Sequence, residues 1–234
     1  MRRVSARIRI LEAAERRFAE DGIEAVSLRQ IAAESGQRNT SAVAYHFGTR
    51  AALVGALYEH RMTPINERRL EFLAAHPDTD VRTYVRALVE PLAEMLTDAE
   101  KAGIPSWYLR FLAEAMRYPE YDPASVALER PEASSIRALI SGLQRATSGL
   151  RLPPGVFAER MRLLALLVIT SLADRERHPG PGVGTQTLVA AGAAILSDPR
   201  QHDPRQHNPR QHRPQQHRPQ QHKPQHHNSQ QHKE

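Results

Sequence analysis

SLRQIAAESGQRNTSAVAYHF, residues Ser27 to Phe47, reads as two short helices about a tight turn. Ser27 with Gln30 three residues on fits a capping box: the serine side chain takes an orphan amide and the glutamine reaches back to the cap backbone, so a helix starts there. Leu28, Ile31 and Ala32 then fall on one face at i, i+3, i+4, the inward stripe of that helix. Gly36 supplies the positive φ needed to leave it. The polar run Gln37, Arg38, Asn39, Thr40 and Ser41 precedes a second helix anchored by Val43 and Phe47, whose exposed face is small and polar. Two helices so arranged are the geometry that lays one helix into the major groove of duplex DNA.

Upstream, a helix from Ser5 to Asp21 turns Ile10, Leu11, Ala14 and Phe18 inward and stops at Gly22. Arg2, Arg3, Arg7 and Arg9 crowd its start. Cations are unfavourable there unless an anion offsets them, which fits either contact with phosphates or a solvated arginine-rich end. Downstream, Thr49 caps a fourth helix that reaches about Thr63 and resumes after Pro64, with Leu53, Leu57 and Tyr58 inward. A turn at His76–Asp80 leads to a helix from Val81 to about Lys101, and Pro91 inside it predicts a kink. Helical patterns follow at Trp107–Met116, Ser134–Thr147, Val156–Arg177 and Thr185–Leu196. No segment has strand periodicity, so the fold class is all-α.

SLRQIAAESG followed by SAVAYHFGTRAAL resembles the DNA-binding domain of the TetR family of bacterial transcriptional regulators, over Arg7 to about Leu57. The spacing from Gly36 to His46 is one residue longer than is common there, and the extra residue falls at or before the start of the recognition helix. The resemblance implies an N-terminal three-helix, helix-turn-helix domain followed by a helical domain for effector binding and dimerisation. It matches Arg29, Ser41, Ala42, Tyr45 and His46 to positions that reach DNA, and Arg50 to a basic position that contacts phosphate. Arg38, Asn39 and Thr40 join that set by proximity; Arg38 or Asn39 in the groove would pair with guanine or adenine respectively. Tyr45 is alternatively a packing residue with a polar tip, and His46 a partly buried, satisfied histidine.

Charge is distributed in agreement with a reading head on a different body. Residues 1–50 carry nine Arg against six acids, residues 51–199 sixteen Lys and Arg against eighteen acids, and residues 200–234 seven against two. Three regions follow: a helix-turn-helix domain at 1–50, a helical body at 51–199 and a tail at 200–234. The tail repeats roughly Q-H-x-P-x, placing His202, His207, His212, His217 and His222 five residues apart. Proline at that period forbids a helix and the lack of apolar side chains forbids a core, so the tail is expected to be disordered. Its histidines could ligate a divalent metal, its charge could attract polyanions, or it is inert. Elsewhere no metal or cofactor is expected.

Within the body, Trp107, Tyr108, Phe111 and Met116 form the densest aromatic cluster, and with Leu88 and Leu92 beside the Pro91 kink they are candidate lining for an apolar effector pocket. The same residues at helical spacing are equally a core. The helix at 156–177 is apolar nearly all round, which requires burial on more than one side. A second subunit is the natural cover, so Ile136, Leu139, Ile140, Leu143, Leu164, Leu167 and Val168 are the expected dimer interface. The chain has no cysteine, no signal-peptide core and no apolar run of membrane length, so a cytoplasmic protein without disulfides is expected. No GxSxG, HExxH or histidine–carboxylate cluster points to an enzyme. The expected protein is a ligand-responsive regulator, a repressor, that binds a palindromic DNA operator as a homodimer. Its rivals are a helical protein-interaction module and a histidine-tail metal binder.

Overall fold

The computed structural model describes residues 5–37, 41–77, 80–124, 133–180 and 182–198, and residues 1–199 form one compact unit. Among the described residues every regular element is a helix: α1 Ala6–Asp21, α2 Leu28–Glu34, α3 Ala42–Phe47, α4 Arg50–Ala75, α5 Val81–Ala102, α6 Tyr108–Ala115, α7 Ser134–Ala146, α8 Val156–Arg177 and α9 Thr185–Ser197, with a 3-10 turn at Ser148–Leu150.

Local side-chain capping sets four of the starts. The Ser5 hydroxyl accepts from the Ile8 amide at 3.3 Å, Thr49 from Ala52 at 3.1 Å, and Asp80 from Thr83 at 2.7 Å. Each satisfies an amide with no partner inside its helix. At α2 both halves of the expected capping box are present, with the Ser27 amide donating to Gln30 Oε1 at 2.8 Å. Helix α6 is capped from a distance instead. The Glu176 carboxylate, carried by α8, accepts from the amides of Leu109 (3.3 Å) and Arg110 (2.9 Å) and from the Ser106 hydroxyl (2.6 Å). A buried anion at a helix N-terminus meets both the free amides and the positive end of the dipole.

Both internal prolines are accommodated within a helix. Helix α4 continues through Pro64, where the sequence suggests an interruption, because its neighbours on both sides bury an apolar face containing Leu57, Tyr58 and Ile65. In α5, Pro91 has no amide to give the Ala87 carbonyl four residues back. That carbonyl accepts instead from Arg69 Nε of α4 at 3.0 Å.

One core runs through the head and the body. Phe18 of α1 stacks on Phe111 of α6 with ring centroids 6.2 Å apart, and Phe111 in turn meets Tyr58 of α4 at 5.4 Å. Behind it, α5, α8 and α9 pack closely at Gly192. A Cβ there would lie 2.6 Å from Leu164 Cδ1 and 2.9 Å from Val85 Cγ1, so the glycine sets the separation of three helices.

This packing corrects the expected dimer interface. Leu139, Leu143, Leu164 and Val168 lie in the chain's own core and offer nothing to a second subunit, while Ile136 and Ile140 face an internal cavity described below. Only Leu167 of that set is neither fully buried nor part of the cavity wall. The large apolar side chains that α8 leaves outside are Leu163, 51% exposed, and Leu166, 37% exposed, with Thr170 on the same side at i, i+3, i+7. Helix α9, packed on α8, exposes Thr187, Ala190 and Ala194 at the same spacing.

Candidate nucleic-acid interface and effector cavity

Helix α3 is six residues long and has one fully buried side chain, Val43. Phe47 is half-buried against the core, so anchoring uses positions 43 and 47 and leaves Ser41, Ala44, Tyr45 and His46 outward; Tyr45 is 86% exposed. Ala42 is partly buried and packs against the core, making it the least available of the expected contact residues. Tyr45 and His46 meet edge to face, centroids 5.3 Å apart, which presents a phenol and an imidazole side by side. Arg29 is exposed at the start of α2. Gly36, at φ 70°, makes the turn that separates the two helices. Arg38, Asn39 and Thr40 lie outside the described residues, as do Arg2, Arg3 and the tail histidines 202, 207, 212, 217 and 222.

The arginines of α1 brace this head. Arg7 sits over the Phe47 ring at 5.4 Å and reaches Glu59 at 3.8 Å, while Arg9 Nε donates to the Ser35 carbonyl at 3.4 Å, at the end of α2. The sequence shows their positive charge but not that they join the three helices of the head. Arg50, matched by resemblance to a phosphate contact, is placed as a strut: Nη1 donates to Glu24 Oε2 at 2.7 Å and Nη2 to the Val26 carbonyl at 2.9 Å. It fixes the start of α4 against the connection between α1 and α2.

A cavity of about 410 Å³ lies in the body between α4, α5, α6, α7 and α8. Of the expected lining, Leu88, Leu92, Tyr108 and Met116 are present. Trp107 and Phe111 are elsewhere, because Tyr108, Leu112 and Met116 share one face of the α6 segment at i, i+4, i+8, and Phe111 turns toward α1. Trp107 lies under the Arg16 guanidinium at 5.5 Å and borders a separate depression with Ile104 and Pro105. The sequence reading passes over Tyr58, Met62, Leu112, Phe157, Met161 and Ile169, all of which line the cavity. Their spacing marks them as inward; only the assembled bundle separates cavity wall from core.

Cavity and head are joined by a run of hydrogen bonds. The Tyr58 hydroxyl, on the cavity wall, donates to the Tyr121 carbonyl at 2.5 Å. The Tyr121 hydroxyl donates to Glu24 Oε1 at 2.8 Å, and the other oxygen of that carboxylate holds Arg50. The Tyr121 hydroxyl foremost, then Arg50, keeps the Glu24 carboxyl below the ordinary carboxylate range. Asp122, also on the wall, is paired with Arg162, whose Nη2 donates to the Met116 carbonyl at 3.1 Å. Among the described residues no group of three His, Cys, Asp or Glu is arranged to hold a metal, and no helix is long and apolar enough to cross a membrane.

A helix-turn-helix head continuous with a helical body that encloses an apolar cavity defines a DNA-binding transcription regulator. Residues 10–57 match the family model described as bacterial regulatory proteins, tetR family. Among solved structures, a putative tetR family transcription regulator from Shewanella sp. PV-4 superposes with a TM-score of 0.55 at 13% identity, over 82% of this chain and 96% of that one. Mycobacterium smegmatis AmtR gives 0.49 at 22% identity, over 84% and 89% of the two chains. NalD of Pseudomonas aeruginosa, described as the secondary repressor of the MexAB-OprM multidrug efflux pump, gives 0.46 at 23%, over 82% and 92%. At these identities the likeness is one of fold. No curated protein matches the chain by sequence.

Proposed function

We propose that the chain is a repressor that binds a partly palindromic operator as a homodimer and releases it when a small apolar molecule fills the body cavity. The division belongs to the same reading: a reading head at 1–50, an effector-binding and dimerisation body at 51–199, and a tail at 200–234 that takes no part in operator recognition. No catalytic step is assigned to any residue. The observation that carries the reading is the outward face of α3, where Tyr45 and His46 are exposed to solvent on a helix fixed by Val43. A phenol so exposed gains nothing from the fold, and its hydroxyl suits a phosphate oxygen or a base edge. Arg29 suits a phosphate.

The test begins with selection of bound sites from random duplex DNA by the full chain, followed by fluorescence anisotropy on the selected site. Tyr45→Ala is expected to weaken binding by about ten-fold or more, the cost of one or two lost polar contacts. Arg29→Ala should weaken all sequences alike and lower the slope of log affinity against log salt by about 1. Both variants should keep the parent's helical circular dichroism. Parental affinity in both, or binding with no sequence preference and no salt dependence, would defeat the reading in favour of a protein-interaction module.

Release follows if the effector-filled state disfavours the head position that suits two successive major grooves. The run from Tyr58 through Tyr121 and Glu24 to Arg50 is the proposed route, since it links the cavity wall to the strut that sets α4 against the head. Tyr121→Phe removes one hydroxyl at the centre of that run. It should leave operator affinity and effector affinity near parental values while reducing the coupling between them by about 0.5–2 kcal/mol. An unchanged ratio of operator affinities with and without effector would refute this route.

A further inference from the structure

The cavity wall is apolar except at a few places, and two of those are donors with spare capacity. Arg69 is 1% exposed. Its Nε is committed to the Ala87 carbonyl that Pro91 leaves free, and its Nη1 to Asn66 Oδ1 at 2.8 Å and Ser135 Oγ at 3.1 Å. No bond from Nη2 and no carboxylate partner is found among the described residues, and burial pushes the guanidinium down to about 10. The second donor is Tyr108. It lines the same cavity, and its hydroxyl is fully buried with no hydrogen-bond partner. Burial foremost, then the Glu15 charge, raises the phenol, and Arg61 and Arg69 act against them, so the phenol is neutral and able to donate.

A buried cation without an anion and a buried hydroxyl without an acceptor, on two residues that line one cavity, are the complement of a ligand that supplies both. The other charged groups near these donors are paired, Asp122 with Arg162 on the wall and Glu15 with Arg61 behind Tyr108. One guanidinium nitrogen and one phenol match a single negative charge spread over two oxygens. A phosphate dianion would exceed them in charge and acceptors, and a neutral head would leave the guanidinium unpaired. The remainder of the wall, including Leu88, Leu92, Leu112, Phe157 and Ile169, accepts only apolar atoms. A volume of 410 Å³ is within the range of about 300–1,000 Å³ that small-molecule sites occupy.

We infer that the cavity takes an apolar monocarboxylate, its carboxylate held by Arg69 Nη2 and the Tyr108 hydroxyl and its body lying among the aliphatic and aromatic side chains. This rests on the reading of the cavity as an effector site. The chemistry is common to aliphatic and aromatic acids, so the test has two arms: dodecanoate against dodecan-1-ol, and biphenyl-4-carboxylate against biphenyl-4-methanol. Each is titrated calorimetrically into the full chain below its aggregation threshold.

In at least one arm the carboxylate should bind about ten-fold or more tightly than its alcohol, the ratio expected of a charge-assisted pair out of water. Arg69→Gln should collapse that ratio toward one. Tyr108→Phe, which removes a hydroxyl that has no partner in the fold, should keep the structure and weaken the carboxylate by about three-fold or more. The second variant and the parental ratio keep the inference testable if Arg69→Gln does not fold. Equal binding of acid and alcohol would overturn the anion subsite while the effector cavity stands. Binding of none of the four probes would overturn both. A preference for the acid that survives Arg69→Gln or Tyr108→Phe unchanged would place the carboxylate elsewhere and overturn the assignment.

Discussion

A Leu163→Arg, Leu166→Arg double variant is expected to run as a folded monomer in size-exclusion chromatography with light scattering, and to bind its operator about 100-fold or more weakly than the parent. Both side chains are large, apolar and exposed on α8, at 51% and 37%, and the fold gains nothing by showing them to water. Beside them Thr170 continues the strip, and on the neighbouring α9 Thr187, Ala190 and Ala194 form a low surface on which a second copy's leucines can rest. A two-fold axis through such a patch pairs α8 and α9 with their own copies, the self-complementary contact of a symmetric dimer. Two arginines per copy would place like charges against each other there. The core is spared, since neither position is in it. The DNA loss follows from geometry: two heads reach successive major grooves only when held about 34–36 Å apart, and a lone head forgoes the effective concentration that linkage supplies. Leu164→Arg is the contrasting case. Leu164 lies against Gly192, so arginine there should abolish folding rather than pairing. A stable dimer of the double variant would move the interface away from this face.

That contrast shows where a sequence is readable and where it stops. Caps and periods are local, so Ser27 and Thr49 announce the starts of α2 and α4, and the structure agrees with both. A helix apolar on all sides, as α8 is, announces burial but not by what. Leu164, Val168 and Leu172 go to the chain's own core, and Leu163 and Leu166 one position away do not. The same limit applies to α6, where Phe111 and Leu112 are adjacent in sequence yet face the core beside α1 and the cavity respectively. Arg69 was invisible for another reason. The orphaned Ala87 carbonyl is deducible from Pro91, so a donor was required nearby, but its source lies on a different helix and depends on how α4 and α5 meet. Arg50 and Arg7 carry the opposite lesson, since a positive charge near a reading head is equally suited to bracing it.

The joint between α1 and α4 yields the other large effect. Glu15 of α1 is 1% exposed, and Arg61 of α4 meets it with two hydrogen bonds, Nε to Oε2 at 2.5 Å and Nη2 to Oε1 at 2.9 Å. Arg61→Ala should cost about 3–5 kcal/mol in urea unfolding at neutral pH, because it leaves a buried carboxylate with no counter-charge. The deficit should depend on pH in a definite direction. Burial is the main influence on Glu15 and raises its carboxyl above the ordinary range, with Arg61 acting against it. Removing Arg61 leaves only a backbone hydrogen bond from Trp107 acting against burial and raises the carboxyl further. A carboxyl whose folded value is raised favours the folded state in its protonated form, so the variant is most stable below the ordinary glutamate range and loses stability as pH rises toward the raised value. The gap between parent and variant should therefore shrink on going from pH 7.5 to pH 5, and Glu15→Gln added to Arg61→Ala should restore much of the loss at pH 7.5. An equal deficit at both pH values would mean that Arg61 matters through its packed stem rather than its charge. The distinction bears on regulation, since this pair joins a helix of the head to the helix that enters the body. A joint held by a bidentate ion pair has a defined angle, and an effector can shift the heads only by moving α1 and α4 together or by straining that pair.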